Sequence, residues 1–232
     1  LSRIEKTLPP QPFDITLGVL RDNSVNAFAA PAGYVFVNSG LILAMESEDQ
    51  LAAVLAHEMA HVTERHLAHN IERSQVINLA TLAGVLAGAL LGGGGSEAGE
   101  ALAVGSMAGG QAASLKYSRD DEREADHLGL QYLARSGYRP EGMARAFEQI
   151  EKQMRLSGAG SRPAYMSTHP GVMERIGYVR DVALRLQGRE SGASAPSPEY
   201  RKVQTIIRAR YTEAHSAWNY FQQYEKDPCF RK

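Results

Sequence analysis

The stretch LAAVLAHEMAHVTERHL, Leu51 to Leu67, constrains this chain more than any other. Ser47-Glu48-Asp49-Gln50 precedes it with the pattern of a capping box, Ser47 as N-cap and Gln50 three places on, so a helix is expected to begin here. Leu51, Leu55, Met59, Val62 and His66 recur at three- and four-residue spacing and predict one buried stripe. His57 and His61 fall beside that stripe, one turn apart on one face, so both imidazoles can reach a single ion. Neutral imidazole binds zinc well, and a catalytic zinc site takes three protein ligands and keeps one position for water or substrate. Glu58 points to one side of the histidine pair, placed to take a proton from water rather than to ligate. The competing reading is an amphipathic helix with a polar flank; the capping box and the helical periodicity favour the metal.

A third ligand has to come from elsewhere in the chain. In SRDDEREADHLG, Ser118 to Gly129, Glu122 and Asp126 stand four apart and share a helix face. A carboxylate facing the histidines would complete a His-His-Glu set, and Asp126, one turn on, suits a hydrogen bond to a ligand imidazole. Asp120, Asp121 and Glu124 are acidic too, so a solvated acidic helix stays open as the alternative. Among the other histidines, His66 is expected in the core and His69, His127 and His215 on helix surfaces.

Composition excludes several classes. Of 232 residues, 44% are hydrophobic and 22% charged, which argues against global disorder. A net charge of −1 with scattered Lys and Arg leaves no basic field for nucleic acid. The single cysteine, Cys229, rules out an intramolecular disulfide and a cysteine-ligated metal. The chain opens at Leu1 without a signal-peptide pattern, as a processed or trimmed chain would.

Along the sequence, 13–20 reads as a strand, and VNAFAAPAGYVFVNSG as two short strands about Pro31-Ala32-Gly33. From Leu41 onward the pattern is helical. The expected class is therefore α+β and mainly helical, a small N-terminal sheet packed on a helical core that carries the HExxH helix. Residues 76–95 are uncharged and rich in Ala, Gly and Leu. They read as half of a small-residue helical hairpin over 71–113, packed on the domain or touching a membrane surface, with a true span as the alternative. Ser118 is expected to cap a helix ending near Gly137, and Pro140 to start the next. Residues 188–198 have linker composition, and 199–232 read as one C-terminal amphipathic helix.

HEMAHVTERH followed by SRDDEREADHLGLQYL strongly resembles the HtpX/BepA-type zinc metallopeptidases, relatives of the CAAX prenyl proteases. The resemblance runs from about Asn26 to Arg180, inside an expected metallopeptidase domain at 1–187 with a zincin-like core. It implies one zinc per chain held by His57, His61 and Glu122, with Asp126 behind them and Glu58 as catalytic base. A third match, STHPGVMERI, implies that His169 and Arg175 lie close to the metal. Arg175 would stabilise the oxyanion or make a structural salt bridge to an acidic neighbour. His169 would take the remaining metal position and hold the enzyme inactive, or be a plain loop or helix-capping histidine. The strand at Asn26, Ala27, Phe28 and Ala29 is expected to pair with an extended polypeptide substrate. Within the family the resemblance is to the catalytic core of periplasmic or envelope BepA-like members. Those carry a C-terminal helical-repeat domain where one helix is expected here after the linker, and the substrates implied are misfolded or stalled envelope proteins. A latent zinc-bound chaperone plugged by His169, and a peptidase tethered through 76–95, are the alternatives. The oligomeric state is not legible.

Overall fold

The computed structural model describes residues 2–72, 119–156, 164–187 and 196–224. The hairpin expected at 71–113 and the cap expected at Ser118 lie outside the described residues apart from 71 and 72. A three-stranded sheet forms from β1 (Thr16–Leu20), β2 (Ala27–Ala30) and β3 (Tyr34–Asn38) in the order β1-β3-β2. β2 and β3 are antiparallel about a Pro31–Gly33 turn, where Ala32 and Gly33 adopt positive φ, and Phe28 faces Phe36. β1 pairs with β3 in parallel, Gly18 opposite Phe36. A Cβ at Gly18 would lie 2.6 Å from the Phe36 ring, so glycine there is what lets the ring cover the strand.

Period-two alternation divides the sheet into two faces. Ala27, Val35 and Val37 are fully buried on one face, where α3 (Glu48–Thr63) packs. Phe28, Tyr34 and Phe36 form an aromatic row on the other. A one-turn α1 (Ser2–Glu5) precedes the sheet, and the short α2 (Ser39–Ala44) continues directly from β3 toward α3.

α3 begins where the capping box places it: Ser47 Oγ accepts from Gln50 N–H at 3.4 Å, and Gln50 Oε1 accepts from Glu46 N–H at 2.7 Å. The helix is buried almost all round, from Ala52 to Ala60. It does not run on to His66 as the stripe predicted. It stops at Thr63, Arg65 adopts a left-handed conformation (φ 55°), and a new helix, α4, covers residues 66–72.

Helix α5, described over 119–136, ends in the expected glycine stop. Gly137 has φ 75°, Tyr138 N–H reaches Leu133 C=O at 3.1 Å, and Gly137 N–H reaches Ala134 C=O at 3.4 Å. α6 (Glu141–Leu156) follows Pro140 and packs on α3. α7 (Ala164–Thr168) touches β2, and α8 (Val172–Gln187) packs along α6. The C-terminal segment is two helices rather than the single one expected: α9 (Pro198–Tyr211) and α10 (Ala214–Tyr224) are separated at Thr212-Glu213. Among the described residues, no helix is long and apolar enough to cross a membrane.

Candidate active site

Four chain segments converge on one point: α3 brings His57, Glu58 and His61, α5 brings Glu122 and Asp126, the α7–α8 turn brings His169, and α8 brings Arg175. His57, His61, Glu122 and His169 each turn one donor atom inward, all within 4.8 Å of one another. His57 Nε2 lies 3.0 Å from His61 Nε2, 3.3 Å from His169 Nδ1 and 3.4 Å from Glu122 Oε2. Glu122 Oε1 is 3.4 Å from His61 Nε2 and 2.9 Å from His169 Nδ1. Ligand bonds of about 2.0–2.1 Å in a tetrahedron imply donor separations of roughly 3.3 Å. The donor set thus fits a zinc-type ion, and a cation resolves the clash of imidazole lone pairs aimed at one another.

The outer atoms of these rings are held as well. His57 Nδ1 makes a short but bent contact with Asp126 Oδ1 at 3.0 Å. His61 Nδ1 lies 2.9 Å from His66 Nδ1, and His66 Nε2 lies 3.2 Å from Glu124 Oε2. One proton arrangement satisfies the whole row: His61 Nδ1–H donates to His66, His66 Nε2–H donates to Glu124, and His61 Nε2 stays bare toward the cluster. His66 is buried as expected, yet it is a polar link and not a packing residue. Its signal was its place five residues after His61, once the chain turns at Arg65.

Arg175 lies in the cluster. Its Nε and one terminal nitrogen donate to Asp126 at 2.8 and 2.6 Å, and the other terminal nitrogen donates to Glu122. Tyr178, which the sequence did not single out, donates its hydroxyl to Asp126. Tyr165 stacks on His169 with centroids 4.3 Å apart, and its buried hydroxyl has no hydrogen-bond partner among the described residues. Its only sequence signal was lying one helical turn before His169. His69, His127 and His215 are exposed, as expected.

Glu58 stays out of the donor set. Its Oε2 accepts from Ala29 N–H at 3.1 Å, and its Oε1 is 3.3 Å from His169 Nε2. That contact ties the base to β2, an edge strand of the sheet. Asn38 N–H donates to Asn26 C=O at 3.0 Å, so antiparallel alternation turns the peptide groups of Ala27 and Ala29 outward, away from β3. Tyr165 N–H occupies Val25 C=O on the same edge at 3.3 Å. Ala27 is fully buried, so the accessible edge runs from Phe28 to Ala30.

Burial and charge shape the proton affinities. Burial raises the Glu58 carboxyl against the pull of His169 and His57. Burial likewise drives the His61 imidazole down to about 3, holding it neutral. At His57 burial is outweighed by Asp126 and Glu122, which push it up to about 9. Burial would also raise Glu122, but the histidines around it, His169 foremost, keep it ionised well below the usual carboxylate range. A cavity of about 250 Å³ opens over these groups, lined by Ala29, Glu58, His61, Glu122 and His169 among others.

Two helical histidines one turn apart, a carboxylate from a second helix and a free glutamate beside them define the class, an HExxH metallopeptidase. Residues 4–183 match the model of Peptidase family M48, a family of zinc metalloendopeptidases, and the chain belongs to it. It is 35% identical over 176 residues to the beta-barrel assembly-enhancing protease of Escherichia coli strain K12, covering 76% of this chain and 35% of that protein. The Yersinia pestis beta-barrel assembly-enhancing protease is 34% identical over 183 residues, covering 79% and 37%. A mitochondrial metalloendopeptidase of Schizosaccharomyces pombe is 34% identical over 168 residues, covering 71% and 45%. The chain spans less than half the length of each of these relatives.

Proposed function

We propose that this chain is a zinc-dependent endopeptidase unit that hydrolyses internal bonds of extended or misfolded polypeptides of the cell envelope. One observation carries the reading: four donors converge at ligand spacing while the carboxylate beside them, Glu58, is left free. The envelope setting draws on the beta-barrel assembly in the names of the bacterial relatives, and the extended substrate on the accessible strand edge.

His57, His61 and Glu122 would hold one zinc per chain, which when bound would supply the Lewis acidity to polarise the scissile carbonyl and acidify water. Glu58 takes the proton from the attacking water and passes it to the leaving amine nitrogen. Its raised proton affinity suits both halves of that transfer. Asp126 holds the outer nitrogen of His57 and fixes which nitrogen faces the metal. Arg175 grips Asp126 and Glu122, an arrangement that supports a holding role over the oxyanion role expected from the sequence, because an oxyanion would have to compete with both carboxylates. The substrate strand lies along β2 from Phe28 to Ala30, with Asn26 and Ala27 anchoring the strand's covered end.

His169 favours a second reading. Its Nδ1 joins the inward donor set, 2.9 Å from Glu122 and 3.3 Å from His57, and would compete there with water or substrate. A latent, zinc-bound chaperone held by this residue is the alternative. Casein cleavage by wild type, His169→Ala and Glu58→Gln, each with zinc content measured, separates the two. The peptidase reading expects faster cleavage by His169→Ala and none by zinc-loaded Glu58→Gln. If no variant cuts while one zinc per chain is bound, the chaperone reading stands instead.

A further inference from the structure

We infer that the cavity between the end of β2 and α4 is a subsite for a large apolar side chain of the substrate polypeptide, adjacent to the bond cut. The inference rests on the peptidase reading. The cavity measures about 300 Å³, and about 150 Å³ of apolar space is enough to hold a benzene ring. A leucine, methionine or phenylalanine side chain therefore fits with its neighbouring backbone.

Its walls are Phe13, Ala29, Pro31, Val62, Leu67 and Ile71, with no carboxylate among the lining residues. Leu67 and Ile71 are 39% and 50% exposed, one turn apart on α4, and both line this space. An apolar occupant takes those two side chains out of water; a polar one leaves them wet and loses its own hydration. Arg65, also on the lining, adopts the left-handed conformation that turns α4 away from the axis of α3. Its guanidinium sets a positive charge on the cavity and disfavours lysine or arginine there.

Continuity with the metal cluster identifies the occupant. Ala29, His61 and Leu67 line both this cavity and the cleft over the cluster. A polypeptide lying along the β2 edge, with its scissile carbonyl near His61, delivers the side chain of an adjoining residue past Ala29 into the cavity. A free hydrophobic ligand has no reason to sit at that junction, whereas a strand paired to β2 passes it.

The test uses the zinc-loaded full chain and fluorogenic peptides identical except beside the scissile bond, where Leu, Phe, Gly, Asp or Lys is placed. Wild type is expected to cut the Leu and Phe peptides with kcat/KM roughly 10- to 100-fold above the Gly peptide, and the Lys peptide least. Ala68 also lines the cavity, and Ala68→Phe, which fills it, is expected to erase that preference while cleavage of the Gly peptide is unchanged. Ile71→Asp at the half-exposed rim gives the same answer should Ala68→Phe fail to fold. Equal cleavage of all five peptides overturns the subsite and leaves the peptidase reading intact. If wild type cuts none, peptide binding to zinc-loaded Glu58→Gln decides. Leu and Phe peptides held at least tenfold tighter than Gly, with the difference lost in Ala68→Phe, sustain the subsite without the peptidase; equal binding overturns it.

Discussion

Replacing His66 by alanine removes the link between His61 and Glu124 without touching any of the four inward-facing donors. The two contacts it breaks differ in weight. His66 is 3% exposed and meets the His61 ring at 2.9 Å, whereas the Glu124 side chain at the other end is 56% exposed and screened by solvent. Most of the effect therefore belongs to the His61–His66 contact. Loss of such an outer partner lowers metal affinity about 10- to 100-fold, or about 1.4–2.7 kcal/mol. His66→Asn, whose amide oxygen occupies the place of Nδ1, keeps the acceptor and is expected to stay within about threefold of wild type. Glu124→Gln is expected to do the same. Competition against a chromophoric zinc chelator measures the affinities, and thermal melts of the metal-free proteins record the packing loss separately. If His66→Ala binds zinc as tightly as wild type and only its metal-free stability falls, His66 is a core residue and the linking argument fails.

Glu58→Gln is expected to raise the thermal midpoint of the metal-free protein at neutral pH, because burial disfavours the ionised carboxylate. Its folded proton affinity exceeds the unfolded one, so this penalty is absent below about pH 4 and grows as pH rises through the folded value. Melts of both proteins across that range should diverge upward in pH; a constant gap refutes the assignment. Arg175→Met leaves Asp126 and Glu122 buried without their cation and is expected to cost about 3–5 kcal/mol in urea unfolding, with a loss under 1 kcal/mol counting against it. Gly142→Ala sets a Cβ 2.6 Å from the Asp49 carbonyl oxygen where α6 meets α3, so a loss of about 1–3 kcal/mol is expected from the same measurement, and an unchanged midpoint would show that the helices separate freely.

What was legible in the sequence was what local spacing encodes. HExxH puts two imidazoles on one helix face wherever that helix is formed, and the Ser47–Gln50 box marks its start. Glu122 was singled out by the family resemblance, since an acidic helix of the same composition need not face the site. His66 is buried as expected, but its link to His61 was not legible because the stripe assumed an unbroken helix, and neither glycine nor proline marks the turn at Arg65. The break at Thr212-Glu213 was missed for the same reason. The Arg175 clamp on Asp126 and the parallel pairing of β1 with β3 join residues far apart in sequence, and no periodicity encodes such a partner. The edge register that turns Ala29 N–H toward Glu58 comes from which β2–β3 pairs are hydrogen-bonded, a detail the two short strands read from the sequence did not specify.

Tyr200, Gln204 and Arg208 on α9 all reach back to the last carbonyls of α2. Tyr200 Oη and Gln204 Nε2 donate to Ile42 C=O at 2.9 Å, Gln204 also to Met45 C=O at 2.8 Å, and Arg208 to Leu43 C=O at 3.5 Å. Composition draws a boundary at 188–198, yet Tyr200 and Ile207 on its far side belong to the same buried core as Leu41 and Met45. A recombinant fragment trimmed at that stretch would carry a raw apolar scar on α2 and invite self-association. For anyone subcloning this protein, the seam in the sequence is the wrong place to cut.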